Sequence, residues 1–485
     1  MRRGRPLLTL GALVLAGWAL WVLEGVRAGV DITNTLVGPT PVTRMSDGSG
    51  GPPVVVAHGF AGSRQMMQAY GLTLARAGYT VYAFDFEGHG RHRRPMRGDV
   101  GSIDGTTRLL VAQTRTVIDA ARTGDSPVAL LGHSMATDVL VRTADRTGDT
   151  GPLVLLSAFS RAITPTHPEN LLLITGAWEP GLTGFAREAL KMVDEGAALG
   201  QTAESDGIRR KAMLAPAVEH VAILHSRAGR QAALDWLNQY YDRDRQAGTP
   251  PTGWALIALL AAITALFPPV AGALARARAS LSAALPPREF VAATVVPALA
   301  TPLAATLFDT SFLPVLVADY LVLHLGIFGI MQAGLLWWFK GPPERPDLGG
   351  AVLLLAWAIL VFGMALDRYG ANFWPTADRV TLIALLCAGA VPFMLADSWL
   401  ADGAPLWQRV AGRLAFLLSL GGAVALDFEG LFFLLMIAPV IVLFYLTFGV
   451  MGRATARACG PATAGLGLGV ALAWALGVSF PLFAA

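Results

Sequence analysis

The hydrophobic pattern of the chain changes near residue 250. Before that point, apolar runs are short enough for single strands and lie at 53–57, 80–84, 130–131 and 171–176. A segment with helical character, from about residue 66 to 77, separates the first two runs. Strands that alternate with helices are typical of a parallel sheet. The pattern therefore predicts an α/β domain over about residues 40–245.

From Gly253 onward the apolar runs are much longer. Eight of them lie near 253–272, 290–308, 312–338, 350–366, 380–396, 410–426, 431–450 and 462–483, and one more lies at 7–23. A helix of about 20 apolar residues matches the thickness of the bilayer core. Residues 253–485 are therefore expected to form an all-α polytopic domain of about eight transmembrane helices, with nine spans in all.

Arginine and lysine are distributed unevenly among the loops between these spans. Only Arg368 and Arg379 fall on one side of the predicted topology. The other side has twelve basic residues, at positions 2, 3, 5, 276, 278, 288, 340, 345, 409, 413, 453 and 457. Short cytoplasmic loops accumulate such residues. We therefore expect a multi-pass protein of the cell (inner) membrane, with its α/β domain on the extracytoplasmic side.

Residues 1–30 allow two interpretations. The apolar run at 7–23 carries Trp18 and Trp21 near its outer end, which favours an uncleaved transmembrane signal anchor. The sequence Val26-Arg27-Ala28 resembles a cleavage site, so a removable signal peptide is the alternative. Both interpretations export the α/β domain, and the anchor is preferred.

Composition and charge restrict the possible functions. Of the 485 residues, 54% are hydrophobic and 15% charged, and the net charge of +3 is accounted for by the basic loops. No nucleic-acid partner is therefore expected. The two cysteines, Cys387 and Cys459, leave the α/β domain without a disulfide. The sequence lacks a His-Glu-x-x-His motif, and we expect neither a metal nor another cofactor.

A serine flanked by small residues is the first candidate for chemistry. The apolar segment Leu130-Leu131-Gly132-His133 leads directly into Ser134, which is followed by Met135 and Ala136. A nucleophilic serine at a sharp turn from strand to helix needs small residues two positions before and after it. An ordinary buried serine at the start of a helix is the alternative.

Two further motifs precede this serine in the chain. His58-Gly59-Phe60 follows the run 53–57, and Asp85 to Gly90 reads Asp-Phe-Glu-Gly-His-Gly after the run 80–84. In this order, the three motifs resemble those of the α/β-hydrolase family, over about residues 40–245. The resemblance implies a serine hydrolase domain, fused here to a membrane domain that resembles no family we recognise.

The same resemblance implies a catalytic acid and a histidine further along the chain. Glu179 follows the strand predicted at 171–176 and is the expected acid; a solvated loop glutamate is the alternative. His220 and His225 both follow a short strand predicted at 211–214. His220 is the preferred base, because the family's histidine lies several residues before the last helix. His225 is interpreted as a polar residue at the entrance of that helix.

These residues imply an acyl-enzyme mechanism. Ser134 is expected to attack an acyl carbonyl, His220 to remove its proton, and the backbone N–H groups of Phe60 and Met135 to bind the oxyanion. Phe60 is assigned to the oxyanion hole through the family resemblance alone. Only about a dozen residues separate Ser157 from Leu171, where relatives often insert a lid, so we expect an open site with the membrane domain as one wall.

Three classes of function are compatible with the sequence. The preferred one is an exported serine hydrolase that cleaves an acyl ester or thioester of a lipid-like substrate and has membrane lipids as partners. The second is an acyltransferase or peptidase with the same nucleophile, since specificity depends on the pocket. The third is a transporter or assembly protein whose hydrolase domain only binds.

Overall fold

The computed structural model describes residues 4–97, 103–274, 282–308, 313, 315 and 317–484. Eleven strands are present in these residues. They are β1 (Asp31–Val37), β2 (Thr40–Ser46), β3 (Pro53–Ala57), β4 (Thr80–Phe84), β5 (Met96–Arg97), β6 (Val128–His133), β7 (Thr150–Leu156), β8 (Asn170–Gly176), β9 (Thr202–Ser205), β10 (Ile208–Ala215) and β11 (Phe483–Ala484). Nine of them form one sheet in the order β1-β2-β4-β3-β6-β7-β8-β10-β9.

The centre of this sheet is parallel. Strands β4, β3, β6, β7, β8 and β10 run in one direction. The hairpin of β1 and β2 adds to β4 in the antiparallel sense, and β9 pairs antiparallel with β10 at the opposite edge. The prediction of an α/β fold with a mostly parallel sheet is confirmed.

Helices cover both faces of the sheet. The first six helices are α1 (Gly4–Arg27), α2 (Gln68–Arg76), α3 (Arg108–Ala121), α4 (Met135–Thr147), α5 (Pro180–Lys191) and α6 (Arg227–Tyr240). Alternate strand residues point to opposite faces. Leu130 accordingly packs in the cluster that contains α3, α4 and α5, while Leu131 packs in the cluster with α2 and α6. Both leucines are completely buried, as expected for a two-faced parallel sheet.

The second part of the chain is helical. Its helices are α7 (Thr252–Leu274), α8 (Pro287–Ala305), α9 (Ala318–Lys340), α10 (Leu348–Ala356), α11 (Met364–Tyr369), α12 (Ala377–Ala401), α13 (Leu406–Leu426), α14 (Phe428–Leu431), α15 (Leu434–Cys459) and α16 (Pro461–Ser479). A π-helical segment, Trp357–Gly363, joins α10 and α11 into one continuous helix.

Eight helices in the described part of the chain are long and apolar enough to cross a membrane. They are Pro6–Arg27, Thr252–Ala273, Ala318–Lys340, Leu348–Tyr369, Ala377–Ala401, Leu406–Leu426, Leu434–Cys459 and Pro461–Ser479. The sequence predicted nine, and the difference is the run at 290–308. Residues 290–305 of that run belong to α8, which contains Pro297 and Pro302 and is less apolar than α7 and α9.

Helix α1 packs with the later helices, and the C-terminal segment contacts the sheet domain. In the helical core, Ala19 and Leu23 of α1 lie in one cluster with residues of α7. Glu24 of α1 accepts hydrogen bonds from Arg368 at 2.7 and 3.0 Å. Near the C-terminus, β11 pairs in parallel with β5, so that the last described residues are added to the sheet domain.

Candidate active site

Ser134 occupies the turn between β6 and α4. Its φ of 53° and ψ of −118° lie in a strained region for a residue with a side chain. The turn is fixed because the Ser134 N–H donates to the carbonyl of Leu156 at 3.0 Å. A Cβ on Gly132 would lie 3.2 Å from the Cβ of Ala136, which explains why both flanking residues are small. Strained serines of this kind expose Oγ at the edge of the sheet.

His220 and Glu179 lie in line with this serine. The Nε2 atom of His220 is 2.8 Å from Ser134 Oγ, and its Nδ1 atom is 2.6 Å from Glu179 Oε1. The structure thus brings together the three side chains that the sequence singled out. The arrangement lets His220 accept the Ser134 proton while Glu179 holds the ring in the correct orientation.

The Glu179 carboxylate is held by two further donors. Oε2 accepts hydrogen bonds from the Ser157 hydroxyl at 2.7 Å and from the Gly176 N–H at 2.8 Å. Glu179 is only 9% exposed, so these donors compensate for lost hydration of the carboxylate. The role of Ser157 was not predicted from the sequence. The signal was its position after β7, because the carboxyl ends of parallel strands lie along one edge of the sheet.

His133 forms a hydrogen bond with the backbone of His220. Its Nε2 lies 2.7 Å from the main-chain carbonyl oxygen of His220 and donates to it. Burial, together with the charge that His220 can carry, lowers the pKa of His133 to about 3. The ring is therefore neutral at physiological pH. It acts as a fixed donor that positions the backbone of His220.

The backbone N–H groups of Phe60 and Met135 are available for the predicted role of oxyanion donors. Within the described part of the chain, neither the N–H of Phe60 nor that of Met135 has a hydrogen-bond acceptor. Met135 is the first residue of α4, where the helix dipole favours negative charge. Gly59 brings the Phe60 loop against the serine, since a Cβ on Gly59 would lie 3.0 Å from Ser134 Cβ. This arrangement can stabilise an oxyanion.

Buried polar residues fix the Phe60 loop. His58 Nδ1 lies 2.7 Å from the Gly59 carbonyl oxygen and donates to it, while its Nε2 accepts from the Phe86 N–H at 3.1 Å. Burial lowers the pKa of His58, which keeps the ring neutral. The carboxylate of Asp85 accepts from the guanidinium of Arg64 and, at 2.8 Å, from the Arg64 N–H.

His225 lies away from the serine. Its Nδ1 is 3.1 Å from the hydroxyl of Thr252, the first residue of α7. Burial lowers its pKa to about 4. The structure thus places His220 at Ser134 and His225 at the junction with the helical part. In the residues that the structure describes, no group of three or more histidine, cysteine or acidic side chains could hold a metal ion.

The surroundings of the site are open and apolar. The His220 side chain is 42% exposed. Large, exposed apolar residues lie next to the site residues in the chain: Trp178 precedes Glu179, Val221 follows His220, and Phe159 follows Ser157 by two positions. On the other side, the ring of Phe60 is 5.5 Å from that of Phe433, which lies between α14 and α15. One wall of the site is therefore continuous with the membrane-length helices.

Comparison with known families agrees with this geometry. Residues 52–188 match the model of a family described as serine aminopeptidase, S33. The match includes β3 to β8 and the turn that carries Ser134, and it assigns an α/β-hydrolase domain to the N-terminal part of the chain. The helical part has no match to a family model. A search of curated proteins found no match to this sequence.

Solved structures with similarity to the chain include several hydrolases. A predicted CIB-like hydrolase from Thermoplasma acidophilum is 16% identical, with 43% of this chain and 98% of the other covered and a TM-score of 0.35. A dienelactone hydrolase from Anabaena variabilis is 20% identical, with 44% and 97% covered and a TM-score of 0.31. A membrane phospholipase A, described as a bacterial virulence factor, is 16% identical, with 50% and 100% covered and a TM-score of 0.33. Likeness of this degree assigns no substrate.

Proposed function

We propose that this chain, which carries an α/β-hydrolase domain in its N-terminal part, is a membrane-bound serine hydrolase that cleaves acyl esters or thioesters. One observation carries the proposal. Ser134 Oγ, the His220 ring and the Glu179 carboxylate form a continuous hydrogen-bonded line, with contacts of 2.8 and 2.6 Å.

The reaction follows from this line of contacts. His220 Nε2 removes the proton of Ser134 as Oγ attacks the acyl carbonyl, and Glu179 stabilises the imidazolium that forms. The N–H groups of Phe60 and Met135 bind the oxyanion. His220 then returns the proton to the leaving alcohol or thiol. A water molecule, deprotonated by His220, releases the acid and regenerates Ser134.

A lipid-like substrate is proposed because of what surrounds the site. The rim residues Phe159, Trp178 and Val221 are exposed and apolar. Phe60 contacts Phe433 at the end of a membrane-length helix. A substrate with an apolar chain would remove this apolar surface from water, whereas a strongly polar substrate would gain nothing from contact with it.

The proposed nucleophile can be tested before the substrate is known. The detergent-solubilised full-length protein is treated with a fluorescent fluorophosphonate, alongside Ser134→Ala and the control Ser160→Ala. The Ser160 hydroxyl donates to Asp138 and takes no part in the proposed reaction. Labelling of wild type and Ser160→Ala but not of Ser134→Ala is expected. Folded wild-type protein that remains unlabelled would contradict the proposal and favour a binding role for the domain.

The family name keeps a peptidase as the second candidate. The matched model is described as serine aminopeptidase, and the same nucleophile can cleave an amide. The Glu219 carboxylate, next to His220 in the chain, accepts hydrogen bonds from the N–H groups of Val221 and Ala222 at 2.9 and 2.7 Å, so both of its oxygens already have partners within the protein. A screen of aminoacyl amides against acyl esters, each compared with Ser134→Ala, distinguishes the two reactions.

We also propose that the hydrolase domain lies outside the cytoplasm and that α1 remains attached. Glu24 of α1 binds Arg368 at the end of α11. The uneven distribution of basic residues along the sequence supports this sidedness; of these residues, Arg2, Arg3, Arg276 and Arg278 lie outside the part of the chain that the structure describes. The packing of α1 on α7 supports a retained anchor. The intact mass of the purified protein tests whether α1 is removed.

Sidedness can be measured with a membrane-impermeant maleimide. In a background of Cys387→Ser and Cys459→Ser, Ser205→Cys places a thiol on exposed β9, and Pro346→Cys places one in the exposed loop before α10. We expect Ser205→Cys to react in intact cells and Pro346→Cys only after permeabilisation. The reverse pattern would place the hydrolase domain in the cytoplasm.

A further inference from the structure

An apolar groove of about 70 Å³ lies between the hydrolase domain and the helical bundle. Phe433, Ile437 and Val440 of the α15 side form one wall, and Leu476 and Phe480 at the end of α16 form the other. Phe60 of the hydrolase domain also lines it. Helices α15 and α16 are long and apolar enough to cross a membrane, whereas Phe60 belongs to the hydrolase domain. The groove therefore lies where the helical bundle meets the hydrolase domain.

The groove adjoins the candidate active site through Phe60. Phe60 contributes its side chain to the groove and its N–H to the proposed oxyanion hole. The preceding residue, Gly59, is so close to the nucleophile that an added Cβ would lie 3.0 Å from Ser134 Cβ. An acyl group whose carbonyl is held at Ser134 therefore has its chain beside Phe60.

A row of phenylalanine rings extends the groove outward. The ring of Phe60 is 5.5 Å from that of Phe433, which is 5.9 Å from Phe432, which in turn is 5.6 Å from Phe428. Phe432 is 44% exposed and Phe428 61% exposed, although both are large and apolar. Exposed aromatic rings at the end of a membrane domain favour contact with lipid. The row links the outer surface of the bundle to the oxyanion loop.

The groove offers almost nothing to a polar ligand. Its single side-chain hydroxyl belongs to Ser479, and this hydroxyl already donates to the carbonyl of Ala475 at 2.7 Å. A peptide or headgroup placed here would lose its hydrogen bonds to water without replacement. A hydrocarbon chain loses none.

We propose that this groove binds the acyl chain of a membrane lipid while the lipid's acyl carbonyl is attacked by Ser134. This inference rests on the proposed function, because it assigns the substrate of the same site. The chain enters along Phe428, Phe432 and Phe433 and remains in apolar surroundings throughout. Hydrolysis then releases a free fatty acid and leaves the rest of the lipid as the alcohol product.

The test uses two fluorophosphonates that differ only in chain length, one with an ethyl and one with a dodecyl group. Both react with an activated serine, so the true substrate need not be known. In wild type, we expect the dodecyl probe to label Ser134 at least about tenfold faster, because burial of each methylene favours the longer chain. Equal rates for the two probes in wild type would overturn the groove proposal and leave the proposed nucleophile intact.

Two matched tryptophan variants on α15 localise the chain. Val440→Trp fills the groove, whereas Val442→Trp alters a residue of the same helix that is 42% exposed and does not line it. We expect Val440→Trp to slow the dodecyl probe about tenfold and the ethyl probe less than about twofold. Val442→Trp should leave both rates unchanged. Equal slowing of the two probes by Val440→Trp would contradict the proposal.

If Val440→Trp does not fold, the proposal can be tested on the wild-type protein. A dodecyl fluorophosphonate with a diazirine at the chain end is attached to Ser134 and then photolysed. Crosslinks to residues 433–440 or 476–480 are expected. Crosslinks confined to the hydrolase domain would overturn the groove proposal, whereas absence of any Ser134-dependent labelling with either probe would overturn the proposed function itself.

Discussion

The hydroxyl of Ser157 donates to Oε2 of Glu179 at 2.7 Å, while Oε1 of the same carboxylate lies 2.6 Å from His220 Nδ1. The two oxygens thus have separate partners, one structural and one in the proposed reaction. Ser157 follows β7 and Glu179 follows β8, and these strands are parallel neighbours. The φ of Ser157 is 49°, so its backbone adopts a conformation that is unusual for a residue other than glycine.

Ser157→Ala should slow the reaction of Ser134 with a fluorophosphonate by about tenfold. A hydrogen bond to a charged group contributes about 1.5–3 kcal/mol, and the Gly176 N–H would still hold Oε2. Ser160→Ala is the matched control, because that hydroxyl bonds to Asp138. The rate constant of labelling is the measurement. Unchanged reactivity of Ser157→Ala would mean that Gly176 alone suffices to orient Glu179.

Gly59→Ala should reduce the same rate by about 10²-fold or more. The new Cβ would lie 2.9 Å from His133 Nδ1 and 3.0 Å from Ser134 Cβ, so either the loop or the serine must move. Loss of one oxyanion donor typically costs about 10² to 10³ in rate. Gly181→Ala is the control, since nothing lies within 4 Å of its added Cβ. Full activity of Gly59→Ala would argue against Phe60 as an oxyanion donor.

Most of the fold could be predicted because burial leaves a clear pattern. The strands at 53–57 and 80–84 are buried, and the sequence alone located them. By contrast, β1 is mostly exposed along its length and carries no apolar run, so only the structure reveals the hairpin with β2. The run at 290–308 is helical, but its prolines and small residues reduce its apolar character below that of the other eight helices.

Some residues of the proposed site could also be predicted from the sequence, and others could not. Ser134, Glu179 and His220 could be selected because a motif and a fixed chain order identify them. Ser157 and His133 act through contacts between neighbouring loops, which single-sequence patterns do not encode. The groove depends on Phe60 and Phe480, which are distant in the chain and meet only because the C-terminal segment packs against the sheet domain.

Arg379→Leu should loosen the C-terminal segment from the sheet domain. The guanidinium of Arg379 is almost completely buried and donates to the carbonyls of Gly88, Gly477 and Phe480. Carbonyls left without these donors cost about 1–3 kcal/mol each, although Gly88 keeps a bond from the Leu482 N–H. Hydrogen exchange in peptides covering 86–97 and 480–484 should therefore become at least about tenfold faster.

Arg368→Leu is the control for that measurement. Arg368 also lies at the end of the bundle nearest the sheet domain, but it pairs with Glu24 of α1. We expect its exchange changes to be confined to α1 and α11. Equal protection of residues 480–484 in Arg379→Leu and wild type would mean that the pairing of β11 with β5 holds the segment without the arginine.

Acid should destabilise the junction between the hydrolase domain and α7 through His225. Burial lowers the folded-state pKa of His225 to about 4, whereas the unfolded chain has a pKa of about 6.5. The unfolded state thus binds more protons between these values, so stability is complete above pH 6.5 and is lost as pH falls toward 4. The contribution is at most about 3 kcal/mol, and less because part of the residue is accessible to solvent.

The pH dependence of stability can be measured as the temperature of half-inactivation. The protein is heated at several pH values, and the labelling of Ser134 is then measured at neutral pH. Other histidines also have lowered pKa values, among them His58 and His133, so wild type should lose stability below pH 6.5 for more than one reason. The informative quantity is the difference between wild type and His225→Gln, which removes only the titration at the junction. We expect this difference to shrink or reverse between pH 6.5 and 4, because the variant has no proton to take up there. A difference that stays constant over this range would mean that His225 remains neutral or is equally charged in both states.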